Sequence, residues 1–195
     1  MVECWLPYGK TEVHLSVPIR DLLGVAEPDL GQPGPNPSEV IRDSLLNPLG
    51  AKPLSDLVGS GTSIAIALDG IISPYLAAAT VLTIGEQLSQ AGASMENAVV
   101  VIGNGCREQS DSELLEALKD NEALKDIRVV EHTRGSMNII EVGTTSKKTK
   151  VEINDHFAGA DVRIAVGTVI LDPFTGFRGS HCTVLPALSG LETMA

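Results

Sequence analysis

Four short apolar runs recur along the chain, and segments with helical spacing separate them. The runs span 63–69, 97–102, 127–132 and 161–167. Each is a nearly continuous aliphatic stretch, which is typical of a strand buried on both faces of a parallel sheet. Between the first two, 74–91 has a proline in its first turn and a glycine after its end, so it predicts a helix. This alternation predicts a three-layer α/β fold, with helices on both faces of a largely parallel sheet.

Further elements follow from the same patterns. The alternation of apolar and polar residues in 12–18 predicts a half-buried strand. Four prolines and two glycines exclude regular structure from 27–37. A helix is predicted over 110–124, and an antiparallel pair of strands is predicted at 137–143 and 149–154.

Two helices are predicted from their end signals. The first is short, with Asn36 or Ser38 as its N-cap, and it ends at the pair Asn47-Pro48. The second begins within 183–195, the last segment of the sequence. An element that begins so close to the last residue predicts a fragment, or one half of a larger protein.

Composition narrows the class of protein. The 195 residues suffice for one domain, and 43% apolar with 3% aromatic residues implies an aliphatic core. The net charge of −11 argues against nucleic acid or an anionic membrane as a partner, because both repel an acidic surface. No apolar run reaches the roughly 20 residues of a transmembrane helix, and the first residues lack a signal-peptide pattern. Three widely spaced cysteines fit reduced thiols, so we expect a cytoplasmic protein.

Candidate chemistry lies at the carboxyl ends of the predicted strands, where open α/β sheets bind ligands. Asp69 could orient a ligand or cap the following helix. Cys106, in a glycine-rich turn, could be a thiolate near a helix N-terminus or a small buried turn residue. His132 could ligate a metal or shuttle protons, or it could bond a backbone carbonyl.

The adjacent residues His181 and Cys182 suggest a metal site as another alternative. Both side chains bind metals, and Asp172 lies ten residues before Cys182. Adjacent residues seldom complete a chelate alone, so Cys106 or His132 would have to approach them through the fold.

Several stretches together resemble the N-terminal domain of the nickel-dependent lactate racemase family. They keep their order and spacing over essentially the whole chain, and they include PYGKTEVHLSVP, NPLGAKPLSDLV, IAIALD, VVVIGNGCR and GADVRIAVGTVILDPFTGFRGS. The resemblance implies that residues 1–195 form a single Rossmann-like domain, a truncated or split version of a two-domain protein. It further implies a cleft between two domains, in which 2-hydroxy acids are racemised or epimerised with a nickel pincer nucleotide.

The resemblance also implies which positions carry this chemistry, and several are substituted here. Asp69 keeps the aspartate at the strand end, but Ile72 replaces an arginine that helps to bind substrate. Arg107 and Asp172 stand at the positions of the two histidines that exchange the proton. Cys182 stands where a lysine attaches the pincer cofactor. An arginine does not deprotonate, an aspartate ionises at about pH 4, and a cysteine cannot form the lysine's amide.

Three functional hypotheses remain open. The leading one is a lactate racemase-like domain without ordinary racemase activity, either a degenerate paralogue or a binding subunit. The second is an isomerase, a hydroxyacid racemase or epimerase that a partner chain completes. The third is a metal-binding protein that uses Asp172, His181 and Cys182. Because the family's cleft lies between two domains, we expect a second-domain partner chain or a homo-oligomer.

The loop that begins at Asp172 is predicted to keep the family's backbone shape. Its glycines and aromatics match the family frame Phe-Ala-Gly-Phe-Ser-Gly. Phe174 and Phe177 are two of only three phenylalanines in the chain, so we expect them to be packed anchors. Cys182, at the end of the loop, is expected to be a plain, partly buried thiol.

Overall fold

A computed structural model describes residues 1–8, 11–26, 36–105 and 112–195 of the chain. By the clustering of contacts, the chain forms two compact units, Met1–Gly34 and Pro35–Ala195. Among the helices of the described ranges, none combines the length and the apolar character needed to cross a membrane.

The first unit contains an antiparallel pair of strands and a short 3-10 helix, Ile19–Asp21. Strands β1 (Val2–Tyr8) and β2 (Thr11–Val17) pair antiparallel, and the rings of Trp5 and His14 lie 4.7 Å apart across the pair. The strand predicted at 12–18 is therefore confirmed, but its predicted half-burial is wrong, because six of its seven residues are exposed. A two-stranded sheet has no second layer of its own that could bury one of its faces.

The second unit contains the remaining elements. Its strands are β3 (Ile64–Asp69), β4 (Ala98–Gly103), β5 (Arg128–His132), β6 (Ile139–Thr144), β7 (Lys150–Asn154), β8 (Val162–Val166), β9 (Ile170–Asp172) and β10 (Gly176–Arg178). Its α-helices are α1 (Pro37–Leu46), α2 (Pro74–Gln90), α3 (Ser112–Lys119), α4 (Asp155–Gly159), α5 (Ser180–Val184) and α6 (Leu191–Met194).

The central sheet consists of the four strands that the apolar runs predict. Its order is β5-β4-β3-β8, and every neighbouring pair is parallel. Side chains alternate along β3, as the pleat of a strand requires. Ile64, Ile66 and Leu68 pack into one hydrophobic cluster with α2 and α3, whereas Ala65 and Ala67 pack into a second cluster with Phe157 of α4. The predicted three-layer α/β fold is confirmed.

Most of the predicted helix ends agree with the structure. Ser73 caps α2 by accepting a hydrogen bond from the Leu76 amide, and Gly92, with a φ of +80°, follows the helix. Asn36 caps α1, which ends before Pro48 as predicted. The helix predicted over 110–124 is shorter, Ser112–Lys119, and positions 110–111 lie outside the described residues.

The region after β5 differs more from its prediction. The antiparallel pair β6–β7 is confirmed. The hairpin of β9 and β10 is not predicted, because three-residue strands leave no periodic signal. The helix predicted within 183–195 is replaced by the short helices α5 and α6, with Pro186 between them, since a proline lacks the amide hydrogen that a helix interior needs.

Candidate functional site

A small cavity lies at the carboxyl ends of β3 and β4. Its volume is about 130 Å³, and it is lined by Asp69, Gly70, Ile71, Gly103, Asn104, Gly105, Arg178, Pro186 and Ala187. This is the edge at which parallel α/β sheets bind ligands. The cavity therefore lies at the strand end where the sequence analysis identifies Asp69 as a candidate ligand-orienting residue.

Backbone hydrogen bonds hold the floor of this cavity. Asp69 and Gly103 are register partners at the ends of β3 and β4, and the Gly70 amide donates to the Gly103 carbonyl at 2.9 Å. The Asn104 amide donates to the His132 carbonyl at 2.8 Å, which ties the turn after β4 to the end of β5. Three neighbouring strand ends thus fix the positions of the polar side chains.

Two glycines let the chain segment at 186–187 close over the strand ends. A Cβ atom on Gly103 would lie 2.8 Å from the Cβ of Ala187, and one on Gly105 would lie 2.7 Å from the Pro186 carbonyl oxygen. Gly105 also has a φ of +38°, in the left-handed region that favours glycine. The glycine-rich turn after β4 therefore allows the backbone at 186–187 to pack directly against it.

A partly buried ion pair joins two residues that line the cavity. The Nη2 atom of Arg178 donates to Oδ2 of Asp69 at 3.2 Å, and the Asp69 side chain is 3% exposed. The other oxygen of Asp69 accepts from the Ile71 amide at 3.3 Å. Sequence reasoning missed Arg178, because 109 residues separate it from its partner and the hairpin that carries it is too short to be predicted.

Several polar atoms of the cavity are buried without a hydrogen-bond partner among the described residues. They are both amide atoms of Asn104, which is 6% exposed, and the Nε of Arg178. Buried polar groups nearly always have a partner, and an orphaned group points to a water molecule or a ligand. The position of Asn104 directly after a buried strand is a signal from which the sequence could have identified it.

Asp172 is the last residue of β9, directly before the turn that leads to β10. Its Oδ1 atom accepts hydrogen bonds from the amides of Phe174 (2.9 Å) and Thr175 (2.8 Å) and from the Thr175 hydroxyl (3.1 Å). The backbone bonds from Thr175 and Phe174, and then the nearby Arg178, hold the pKa of Asp172 below its usual value. The carboxylate therefore stabilises the adjacent turn, and the hydrogen bonds that it accepts favour its ionised form.

Of the other sequence-predicted positions that the structure describes, none lines this cavity. Ile72 is 7% exposed and belongs to the larger hydrophobic cluster. Cys182 is 4% exposed, more deeply buried than predicted, whereas the adjacent His181 is exposed. Cys106 and Arg107 lie outside the described residues. Within the described ranges, no three His, Cys, Asp or Glu side chains converge on a metal-sized site.

Phe174 and Phe177 are not packed anchors, so that prediction is wrong. Their exposed fractions are 94% and 62%. The β9–β10 hairpin contributes no residue to either hydrophobic cluster, so its aromatic side chains have no core to enter. The scarcity of phenylalanine in the chain was a poor guide to its burial.

His132 is buried beneath the strand ends, with an exposed fraction of 1%. Its Nε2 atom lies 3.2 Å from the Ser189 carbonyl oxygen, to which it can only donate, and its Nδ1 atom lies 3.4 Å from Nδ2 of Asn154. Burial lowers the pKa of His132, outweighing the Ser189 bond. The interpretation of His132 as a histidine bonded to a backbone carbonyl is confirmed.

We expect the burial of His132 to make stability depend on pH. Because the folded-state pKa lies below the ordinary 6.5, the unfolded chain binds the proton more readily. The stabilisation is complete above about pH 6.5 and is lost as the pH falls below it, by up to about 1.4 kcal/mol per pH unit. Urea unfolding at several pH values should show a weaker dependence in His132→Gln and an unchanged one in the exposed control His181→Gln. A His132→Gln profile identical to that of the wild type would contradict this account.

Three comparisons place the chain among known proteins. The family model described as the lactate racemase N-terminal domain matches residues 8–195. The lactate racemase of Thermoanaerobacterium thermosaccharolyticum is 25% identical over 195 residues, which covers 98% of this chain and 46% of that protein. The structure of the lactate racemase apoprotein from the same organism is similar in fold, with a TM-score of 0.67 and 22% identity over 97% of this chain and 44% of that one. The chain therefore spans less than half the length of this relative.

Proposed function

The chain belongs to the lactate racemase N-terminal domain family, and we propose that it acts as a ligand-binding form of this domain without ordinary racemase activity. The observation that carries the proposal is the set of residues at three positions, which are Arg107, Asp172 and Cys182. The resemblance to the family implies two histidines and a lysine at these positions. A single replacement would be compatible with altered chemistry, but three remove both proton transfer and cofactor attachment.

The proton-transfer positions support the proposal through their acid–base chemistry. A group that accepts and returns a proton during catalysis works best when its pKa lies near the working pH. Arg107 stays protonated and cannot accept a proton. Asp172 accepts three hydrogen bonds from its own turn, and its pKa is lowered further from neutrality. Neither residue replaces a histidine.

The residues present do not fit the nickel pincer nucleotide. Cys182, at the attachment position, is buried in α5, and a thiol cannot form the amide that a lysine forms. Ile72, at the position of the family's substrate-binding arginine, packs in the core and has no group to bind a carboxylate. We therefore assign no reaction step to this cofactor.

This mismatch predicts that the chain carries no covalent cofactor. Intact mass spectrometry of protein made together with the cofactor-synthesis enzymes should give the mass of the unmodified chain. The lactate racemase of T. thermosaccharolyticum, made in the same cells, is the positive control. An adduct that maps to Cys182 in the wild type and is lost in Cys182→Ser would contradict the prediction.

We further propose that a partner covers the site. Segment 169–177 carries a run of exposed apolar side chains: Val169 (75%), Ile170 (39%), Leu171 (67%), Phe174 (94%) and Phe177 (62%). A concentration of exposed apolar side chains is typical of interaction sites. This surface also favours, as the alternative function, a racemase or epimerase that a partner chain completes, since a partner could bring reactive groups to the cavity.

We expect the isolated chain to self-associate or to need such a partner. Light scattering after gel filtration should give a mass above that of the monomer, or a dye that reports exposed apolar surface should bind. The double variant Phe174→Ser, Phe177→Ser should reduce either signal, whereas Leu49→Ser, at a fully exposed residue of another segment, should not. A strict monomer without dye binding would count against the prediction.

A further inference from the structure

We propose that a groove beside α2 binds a partner protein through a short helix that is apolar on one face and carries lysine or arginine at its edges. This α2 groove has a volume of about 520 Å³ and lies between the second half of α2 and residues 95–96 and 123–127. Those two segments lead directly into β4 and β5, so the groove stands at the amino ends of the strands. The cavity beside Asp69 is at the opposite ends, and the interaction therefore goes beyond the proposed function and does not depend on it.

The floor of the α2 groove is apolar and continuous with the core. Leu82, Met95 and Ile127 line it, are half-buried and pack against the larger hydrophobic cluster, of which Leu124 is a buried member. Apolar atoms at the bottom of a concave surface gain free energy when the side chains of a partner displace water from them. The floor therefore has the character of a pocket that receives anchoring side chains.

The rim of the α2 groove is acidic. Glu86, Glu96 and Asp126 line it, and no lysine or arginine does so among the described residues. Arg42 forms an ion pair with Glu86 at 2.8 Å, whereas Glu96 and Asp126 have no ion pair within the described ranges. Two free carboxylates beside an apolar floor favour a partner that brings cations to the edges of the contact, and they repel an acidic one.

The shape of the α2 groove fits a helix. Leu82, Glu86, Ser89 and Gln90 line one wall at the spacing of a single helix face. At 1.5 Å per residue this wall is about 12 Å long, which is about two turns of a partner helix laid beside it. Apolar side chains at helical spacing would then lie on the floor, and the long stems of flanking lysines would let their charges reach the rim.

Fluorescence anisotropy with a labelled synthetic peptide tests the proposal. The probe has about twelve residues, with leucines along one helical face and lysines at the other positions. We expect saturable binding to the full chain with a dissociation constant of roughly 1 to 100 μM. The same peptide with glutamate in place of every lysine should bind at least about tenfold more weakly, because the rim repels it.

Charge reversal of the rim tests whether the peptide binds at this place. Glu96→Lys combined with Asp126→Lys should weaken binding of the lysine peptide at least about tenfold and make the glutamate peptide the better ligand. The matched control combines Asp56→Lys with Glu192→Lys, at two exposed acids that do not line the groove. It changes the net charge equally, so it should weaken binding by less than about threefold.

Filling the α2 groove is a second test at the same place. Ser89 is exposed and lines the groove, so the indole of Ser89→Trp should occupy it and weaken binding of the lysine peptide at least about tenfold. Ser146→Trp, at an exposed residue between β6 and β7, should bind the peptide as the wild type does. Thermal unfolding checks that the variants fold, and the charge reversal remains decisive if Ser89→Trp does not fold.

Several results would overturn the proposal. They are the absence of saturable binding up to roughly 500 μM chain, equal weakening by the two charge-reversal variants, and unchanged binding in a folded Ser89→Trp variant. Light scattering of the chain without peptide covers the other occupant, a second copy of the chain. A lower mass in Ser89→Trp than in the wild type would assign the groove to that second copy and would also overturn the proposal.

Discussion

Replacing Gly103 with alanine is expected to lower the free energy of unfolding by about 2 to 3 kcal/mol. The new methyl group would lie 2.8 Å from the Cβ of Ala187 and 3.0 Å from its carbonyl oxygen. Both neighbours belong to, or are fixed to, the backbone, so neither can move aside as the end of a long side chain would. The strand end and segment 186–187 would have to separate, and the cavity would open at that wall.

Gly59→Ala is the matched control for this substitution. A Cβ atom at position 59 has no neighbour within 4 Å, so its stability should change by less than about 0.5 kcal/mol. Urea unfolding of both variants gives the comparison. If the free energy of unfolding of Gly103→Ala also falls by less than about 0.5 kcal/mol, the segment at 186–187 does not pack tightly against the strand end, and the prediction is wrong.

The sequence predicted the central sheet because burial on both faces leaves a local signal. The apolar runs that became β3, β4, β5 and β8 need no knowledge of their partners to be identified. Short elements such as β9 and β10 carry no such signal, and their residues gain structure only from the pairing. The alternating pattern in β2 correctly predicted a strand, but the half-burial predicted from the same pattern is wrong.

The candidate site was only half predictable for the same reason. Asp69 follows a buried strand and could be identified as a strand-end carboxylate. Its partner Arg178 lies 109 residues later, and nothing local in the sequence points to the pair. Asp172 was placed by resemblance alone, and the hydrogen bonds that fix it to its turn come from residues within three positions of it. Distance along the chain, rather than residue type, limited the prediction of the site.

The absence of racemase activity is the prediction with the largest expected effect. The resemblance implies that an active racemase of this family needs two groups that exchange the proton of the substrate, one for each enantiomer. The resemblance implies that positions 107 and 172 hold these groups, and this chain has an arginine and a hydrogen-bonded aspartate there. Removing single catalytic groups commonly lowers rates by about two to four orders of magnitude, so the combined loss should leave no turnover above the uncatalysed rate.

Chiral analysis of lactate after incubation with the chain tests this central claim most directly. The chain is made with the cofactor-synthesis enzymes and assayed with D- and with L-lactate, both alone and with the half of the T. thermosaccharolyticum lactate racemase that it does not match. The intact T. thermosaccharolyticum enzyme serves as the positive control. The account predicts that the starting enantiomer is recovered unchanged in every reaction that contains this chain. Formation of the opposite enantiomer above the protein-free blank, in either arrangement, would contradict it.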